Sequence, residues 1–148
     1  MIELRPITPD NLEDVLALQV AQNQSGYVST VAHSLAQAYA CRDTAFPFAV
    51  CEDDRPVGFL MLGYYESRRQ YTLWKFLIDH RYQGKGYGRE ALRLAIRYAA
   101  ETLHADALYT GVILGNERAQ ALYRSVGFEA TGLVENNMQE MRLSLPRR

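Results

Sequence analysis

The chain has 148 residues, 48% of them hydrophobic, which predicts one ordinary globular domain over residues 1–148 with a core of its own. A formal net charge of −1 excludes the global basic field of a nucleic-acid binder, and no apolar run approaches membrane-spanning length. Two cysteines, Cys41 and Cys51, form neither a metal spacing nor a secreted framework, and Met1 leads into an amphipathic strand rather than a signal peptide, so free buried thiols in a reducing cytoplasm are expected.

Residues 1–7 alternate apolar and polar, as a half-buried strand does. Thr8-Pro9 predicts a helix start, with Thr8 as N-cap, Pro9 at the first helical position, and Leu12, Val15, Leu16 and Gln19 on one face. After a break at Gln24-Ser25-Gly26, the spacing of Val31, Leu35 and Ala38 predicts a second helix from Ser29 or Thr30. Residues 46–51, 57–65 and 71–79 read as a three-strand meander joined by polar turns, with Pro47 tolerable near its strand's start. From Arg89, Leu92, Ala95, Ile96, Ala99 and Leu103 share one helical face. Residues 107–113 form the next strand, 116–125 a short helix ended near Gly127, and 128–132 and 138–145 two last strands around an Asn136-Asn137 turn. The strand-helix-strand crossover over 71–113 places one parallel pair in a mostly antiparallel sheet, an α/β (α+β) chain with about seven strands and about four helices.

The densest chemistry lies in residues 76–89, FLIDHRYQGKGYGR. An apolar strand runs into Gln83-Gly84-Lys85-Gly86-Tyr87-Gly88, and a helix follows. Glycines at a helix mouth let bare N–H groups converge on an anion, and the helix start adds partial positive charge. This is not a P-loop, because Lys85 precedes Gly86 instead of preceding Ser or Thr. Nor is it a dinucleotide fingerprint, since Gly88 comes one position early and Asp106 opens a strand rather than ending one. A second signal is Asn116, two residues, Ala119, then Leu122-Tyr123 and Gly127-Phe128. On a helix, Asn116 and Tyr123 stand nearly above one another, so an amide and a phenol can meet one extended ligand. The plainer readings are a helix N-cap for Asn116 and a core aromatic for Tyr123.

The spacing Gln83-x-x-Gly86-x-Gly88, together with Asn116, Ala119, Leu122-Tyr123 and Gly127-Phe128, resembles the GNAT family of N-acetyltransferases over essentially the whole chain. The resemblance implies a GNAT-like acyl-CoA N-acyltransferase fold and acetyl-CoA as co-substrate, with no metal. It implies a pyrophosphate loop made of Gln83, Gly84, Lys85, Gly86, Tyr87, Gly88 and Arg89. It implies that Asn116 bonds the pantetheine arm and that Tyr123 stands at the thioester sulfur as the catalytic residue. It also implies an oxyanion donor among the backbone N–H groups of Leu77 and Ile78, where the strand bulges and splays. Many members carry a strand Glu as base; here residues 71–79 have none, Asp79 is too close to the loop, and a water chain through tyrosines is the expectation. The family often forms homodimers.

The segment 26–39, Gly63-Tyr64-Tyr65 and the 76–88 stretch are similar to small bacterial spermine/spermidine acetyltransferases. Tyr27, His33, Tyr64, Glu66 and Trp74 are then candidate substrate residues, with a polyamine held on π faces and carboxylates such as Glu66 and Glu140. The plainer readings are a solvated histidine, packed aromatics and a solvated carboxylate. Acetylation of another small amine or a peptide N-terminus, or acetyl-CoA binding without turnover, are the alternatives.

Overall fold

The computed structural model describes residues 1–20 and 30–146. Among these, the elements run β1 (Ile2–Arg5), α1 (Leu12–Leu16), α2 (Val31–Ala40), β2 (Ala45–Glu52), β3 (Arg55–Tyr65), β4 (Gln70–Ile78), a 3₁₀ turn (His80–Tyr82), α3 (Tyr87–Glu101), β5 (Ala107–Ile113), α4 (Glu117–Ser125), β6 (Glu129–Glu135) and β7 (Met138–Ser144). The strands form one seven-stranded sheet in the order β1-β2-β3-β4-β5-β7-β6. Only β4 and β5 pair in parallel; the other neighbours are antiparallel. The mixed sheet with helices on both faces is the architecture that the resemblance implies.

Each face of the sheet carries its own core. On one, α3 lays Ala91, Leu92, Ala95 and Ala99 against Leu60, Leu62, Leu73 and Leu108. Small residues on the helix let its backbone approach the sheet while Leu92 fills the gap, and a buried Leu contributes roughly 2 kcal/mol. On the other, Val15 and Leu18 at the end of α1, with Val31 and Ala38 of α2, cover Ala49, Phe59, Met61 and Leu77. Residues 46–64 thus face two apolar layers, which is why β3 is buried almost along its length. Pro47 is tolerated because β1 pairs with β2 only from Ala49 onward, so no ladder donor is missed there.

Several boundaries differ from the sequence reading. Thr8 does not cap α1: its own N–H donates to Asn11 Oδ1 at 2.9 Å, and Asn11 Nδ2 donates to Pro6 O at 3.0 Å. That side chain holds a turn over residues 8–11, so the helix begins at Leu12 with Asn11 as N-cap, and Leu16 is exposed while Leu18 is buried. Thr30 does cap α2, its Oγ1 accepting from His33 N–H. The helix expected from Arg89 begins at Tyr87. Cys51 is buried, but Cys41, at the C-cap of α2, is exposed. β6 runs three residues past the expected end, to Glu135, and Asn136 and Asn137, both at positive φ, turn it into β7.

Candidate functional site

β4 and β5 pair only over residues 71–73 and 108–110. Beyond Leu73 and Thr110, β4 stays with β3 and β5 with β7, so the sheet forks. Trp74 sits at the fork. In the β3–β4 ladder Met61 opposes Lys75 and Leu62 opposes Leu73, which leaves Trp74 as the extra residue of a bulge. The fork opens into a cleft of about 1150 Å³, bounded by β4, β5, the start of α3 and α4.

The glycine loop closes one end. Gly84 and Gly86 have φ of 80° and 83°, and a Cβ on either would meet nothing within 4 Å. Glycine is required there for the left-handed backbone, not for space. Gly88 is an ordinary helical residue whose added Cβ would lie 3.5 Å from Leu122 Cδ2. Gly86 is the N-cap of α3 and supplies no side-chain cap, so the first-turn N–H groups keep no internal partner from a capping side chain. Uncapped donors beside Arg89 and Arg118 on the cleft wall suit an anion such as a pyrophosphate. Gln83 lines the cleft, but its Nε2 donates to Ile78 O at 2.8 Å, tying the loop to the end of β4. Lys85 is exposed and does not line the cleft.

Along β4, Asp79 N–H donates to Val57 O, so the amides of residues 79 and 77 face β3. The Ile78 N–H and C=O therefore face the fork. Of the two expected oxyanion donors, Ile78 presents its amide to the cleft and Leu77 does not. The bulge lies at Trp74, earlier in the strand than expected, and the strands have already parted where Ile78 stands.

Opposite, α4 contributes Asn116 and Tyr123. Asn116 is not helical: it is the N-cap, its Oδ1 accepting from Ala119 N–H at 3.2 Å. The cap uses only the carbonyl oxygen, so Nδ2 remains a donor on a residue that lines the cleft. Tyr123 is buried, with its ring edge-on to Phe128 at 5.5 Å. Burial pushes its phenol up to about 12, although a hydrogen bond with the Thr110 hydroxyl works in the other direction. Thr110, 3% exposed, donates to Leu73 O at 3.2 Å.

The other face of the cleft carries Val20, Ser34, Trp74, Lys75 and Leu77. Trp74 is the expected substrate residue that the structure places here; its ring covers Gly63, and its buried Nε1 has no hydrogen-bond partner. The remaining candidates among the described residues fall elsewhere. Tyr64 packs on Tyr71 at 4.7 Å near the start of β4, away from the loop. His33 is exposed on α2, and its neighbour Ser34 lines the cleft instead. Glu66 sits in an exposed turn, and Glu140 is engaged by Thr131 Oγ1 and lies 3.8 Å from Arg68. Tyr27 lies outside the described residues. Lys75 and Thr110 were missed by the sequence reading. Lys75 is half-buried, and burial lowers its pKa below the ordinary lysine value. A lone lysine within the apolar run 73–78 was the available signal; Thr110 gave none, being one of the expected β-branched strand residues.

The Acetyltransferase (GNAT) family model matches residues 12–128. The spermine/spermidine N(1)-acetyltransferase of Bacillus subtilis is 32% identical over 146 residues, covering 95% of both chains. The N-alpha-acetyltransferase RimI of Mycobacterium tuberculosis is 39% identical over 64 residues, 43% of this chain and 38% of that protein. Among solved structures, the spermidine N-acetyltransferase of Vibrio cholerae in complex with CoA and spermine aligns with a TM-score of 0.76 at 20% identity, covering 97% of this chain and 95% of that one.

Proposed function

Because the chain belongs to the acetyltransferase (GNAT) family, we propose that it moves an acetyl group from acetyl-CoA to a primary amine of a polyamine such as spermidine or spermine. The observation that carries the reaction is the forked sheet, which gathers an uncapped helix start, the Ile78 amide and the Tyr123 phenol around one cleft. Acetyl-CoA supplies an activated thioester. The first-turn amides of α3 and the glycine loop hold its pyrophosphate. Asn116 Nδ2 donates to its pantetheine arm. The Ile78 N–H is aimed where negative charge develops on the thioester oxygen. Tyr123 hydrogen-bonds the departing sulfur; with its phenol at about 12 it stays protonated through the neutral range and acts as a donor rather than a strong acid.

The polyamine assignment draws on the full-length Bacillus relative and on the Trp74 face beside the fork. Glu66 and Glu140 stand off the cleft, and its carboxylate Glu117 lies on the α4 wall rather than on the acceptor face, so the Trp74 π face holds the cation and added salt changes KM little. Lys75 opposes a polycation to the extent that it is charged. The test compares kcat/KM for spermine, spermidine, a monoamine of similar length and a short peptide, with thiol release as readout. We expect the polyamines to lead and turnover to rise with pH as the amine, with a pKa near 10.4, loses its proton. Lys75→Met should lower KM for spermidine, whereas an acceptor bearing a carboxylate should bind less well. A peptide that matches or beats spermidine removes the polyamine assignment and leaves the acetyltransfer. CoA binding without thiol release from any amine marks a non-catalytic acetyl-CoA binder.

A further inference from the structure

The bulge at Trp74 decides on which side of the sheet Lys75 stands. In the β3–β4 ladder Leu62 opposes Leu73 and Leu60 opposes Phe76, and these four side chains pack in the core under α3. Met61 opposes Lys75 and Phe59 opposes Leu77, and Met61, Phe59 and Leu77 pack in the core under α2. Strict alternation from Leu73 would put Lys75 on the α3 side; the extra residue puts it beside Trp74 on the α2 side instead. There it is half-buried and lines the cleft with Trp74 and Leu77. The proposed reaction consumes a primary alkylamine, and Lys75 is one, built into the acceptor face. Burial lowers its pKa below the ordinary lysine value, which enlarges the neutral fraction able to attack a thioester. The Ile78 amide lies three residues further along the strand, about 10 Å away, and a lysine stem spans roughly 6 Å, so an acyl carbon held between the two is within its reach. The sequence has a second lysine, Lys85, which is exposed and does not line the cleft; every other Lys or Arg position is arginine.

We propose that the chain acetylates itself at Lys75 when acetyl-CoA occupies the cleft and no amine acceptor is present. This rests on the reading that the cleft takes acetyl-CoA. The neutral Lys75 nitrogen forms its bond to the thioester carbonyl carbon. The C–S bond breaks with its electron pair going to sulfur, and the proton shed by the nitrogen reaches the thiolate through water. One thioester and one amine become one thiol and one Nε-acetyl-lysine, with no proton gained or lost overall. The product is a neutral amide, so the modification removes the charge that opposes a polycation on the Trp74 face. A bound polyamine competes for the same carbonyl carbon, so turnover of an acceptor and modification of Lys75 exclude one another within one cleft.

The experiment incubates the full chain with acetyl-CoA and no amine, and follows acetyl groups by intact-mass and peptide-mapping mass spectrometry. We expect Lys75 to gain an acetyl group about tenfold or more faster than Lys85, which serves as the internal control. The rate should not depend on protein concentration, because the step lies within one chain, and excess CoA or spermidine should slow it. Lys75→Arg keeps a charge on a long stem but offers no acylable amine, so it should lose the modification. Thermal melts establish that the variant is folded; should Lys75→Arg fail to fold, Lys75→Met replaces it. Equal labelling of Lys75 and Lys85, a rate untouched by excess CoA, or a rate that rises with protein concentration overturns the proposal. An unmodified Lys75 in a chain that releases thiol with spermidine also overturns it, and leaves the acetyltransfer standing. A chain that neither releases thiol with any amine nor labels Lys75 overturns the acetyltransfer reading as well, which is a separately visible result.

Discussion

At the scale of single residues, backbone conformation rather than room decides the glycine loop. Gly86 sits at φ 83° with open space where a Cβ would be, while Gly88 is helical with an ordinary neighbour at 3.5 Å. Gly86→Ala must therefore strain the start of α3 by about 1–2 kcal/mol and turn the first amides away from an anion. Gly88→Ala should leave stability level or raise it by up to about 1 kcal/mol. Thermal melts and calorimetric titration with CoA check the pair: Gly86→Ala should melt lower and bind CoA more weakly, and Gly88→Ala should not melt lower. Unchanged CoA affinity in a folded Gly86→Ala would remove the loop as the anion site. The motif residues were legible because glycine and asparagine are chosen for backbone geometry that few other residues satisfy. Thr110 and Lys75 were not, since their roles depend on which strand neighbours them and on where that strand parts.

At the scale of elements, the meander β2-β3-β4 was readable from strand-like runs between polar turns, and β5 to the residue, but the place of the bulge was not. A bulge is a mismatch between two strands, and no single strand announces it. Here Trp74 is the extra residue, and Gly63 makes room for it: a Cβ on Gly63 would overlap the Trp74 indole. An indole ring in a packed face cannot give way by flexing its tip. Gly63→Ala should therefore destabilise the protein by roughly 1–3 kcal/mol and shift the bulge, so that kcat/KM falls even at temperatures where the variant is fully folded. Urea unfolding and kinetics at low temperature separate the two effects. A folded Gly63→Ala with wild-type kcat/KM would show that the bulge does not set the geometry of the cleft. The missed start of α1 has a similar origin, since an Asn11 side chain competing for backbone groups outweighs the Thr8-Pro9 start signal.

At the scale of the whole molecule, one buried carboxylate joins the two faces of the sheet to the loop. Asp79 is 1% exposed and follows the last residue of β4. Its Oδ2 accepts from Gln19 N–H at 2.9 Å, and its Oδ1 from Arg81 N–H and Nε, each at 2.9 Å. Gln19 O in turn accepts from His80 N–H at 2.8 Å. The chain beyond α1, the end of β4 and the turn that leads into the glycine loop therefore meet at this side chain. Burial alone would raise the Asp79 carboxyl, but the Arg81 guanidinium and the Gln19 and Arg81 amides outweigh it and hold the group below its ordinary value of 3.8. A depressed carboxyl stabilises the fold fully above its unfolded pKa, and that contribution is lost as pH falls through the lower folded value. The molecule should thus keep this term at neutral pH and lose it below about pH 4. Asp79→Asn keeps the shape but removes the charge and one acceptor, so it should cost about 2–3 kcal/mol at pH 7 and flatten the acid limb of stability. Because the same side chain fixes both the loop and the chain beside the acceptor face, KM for CoA and for the amine should rise together. Urea unfolding at pH 7 and at pH 3, with kinetics for both substrates, provides the check. An Asn variant whose stability drops with acid as steeply as the wild type would show that the linkage lies in another carboxylate, and a rise in only one KM would show that the two halves of the site are held independently.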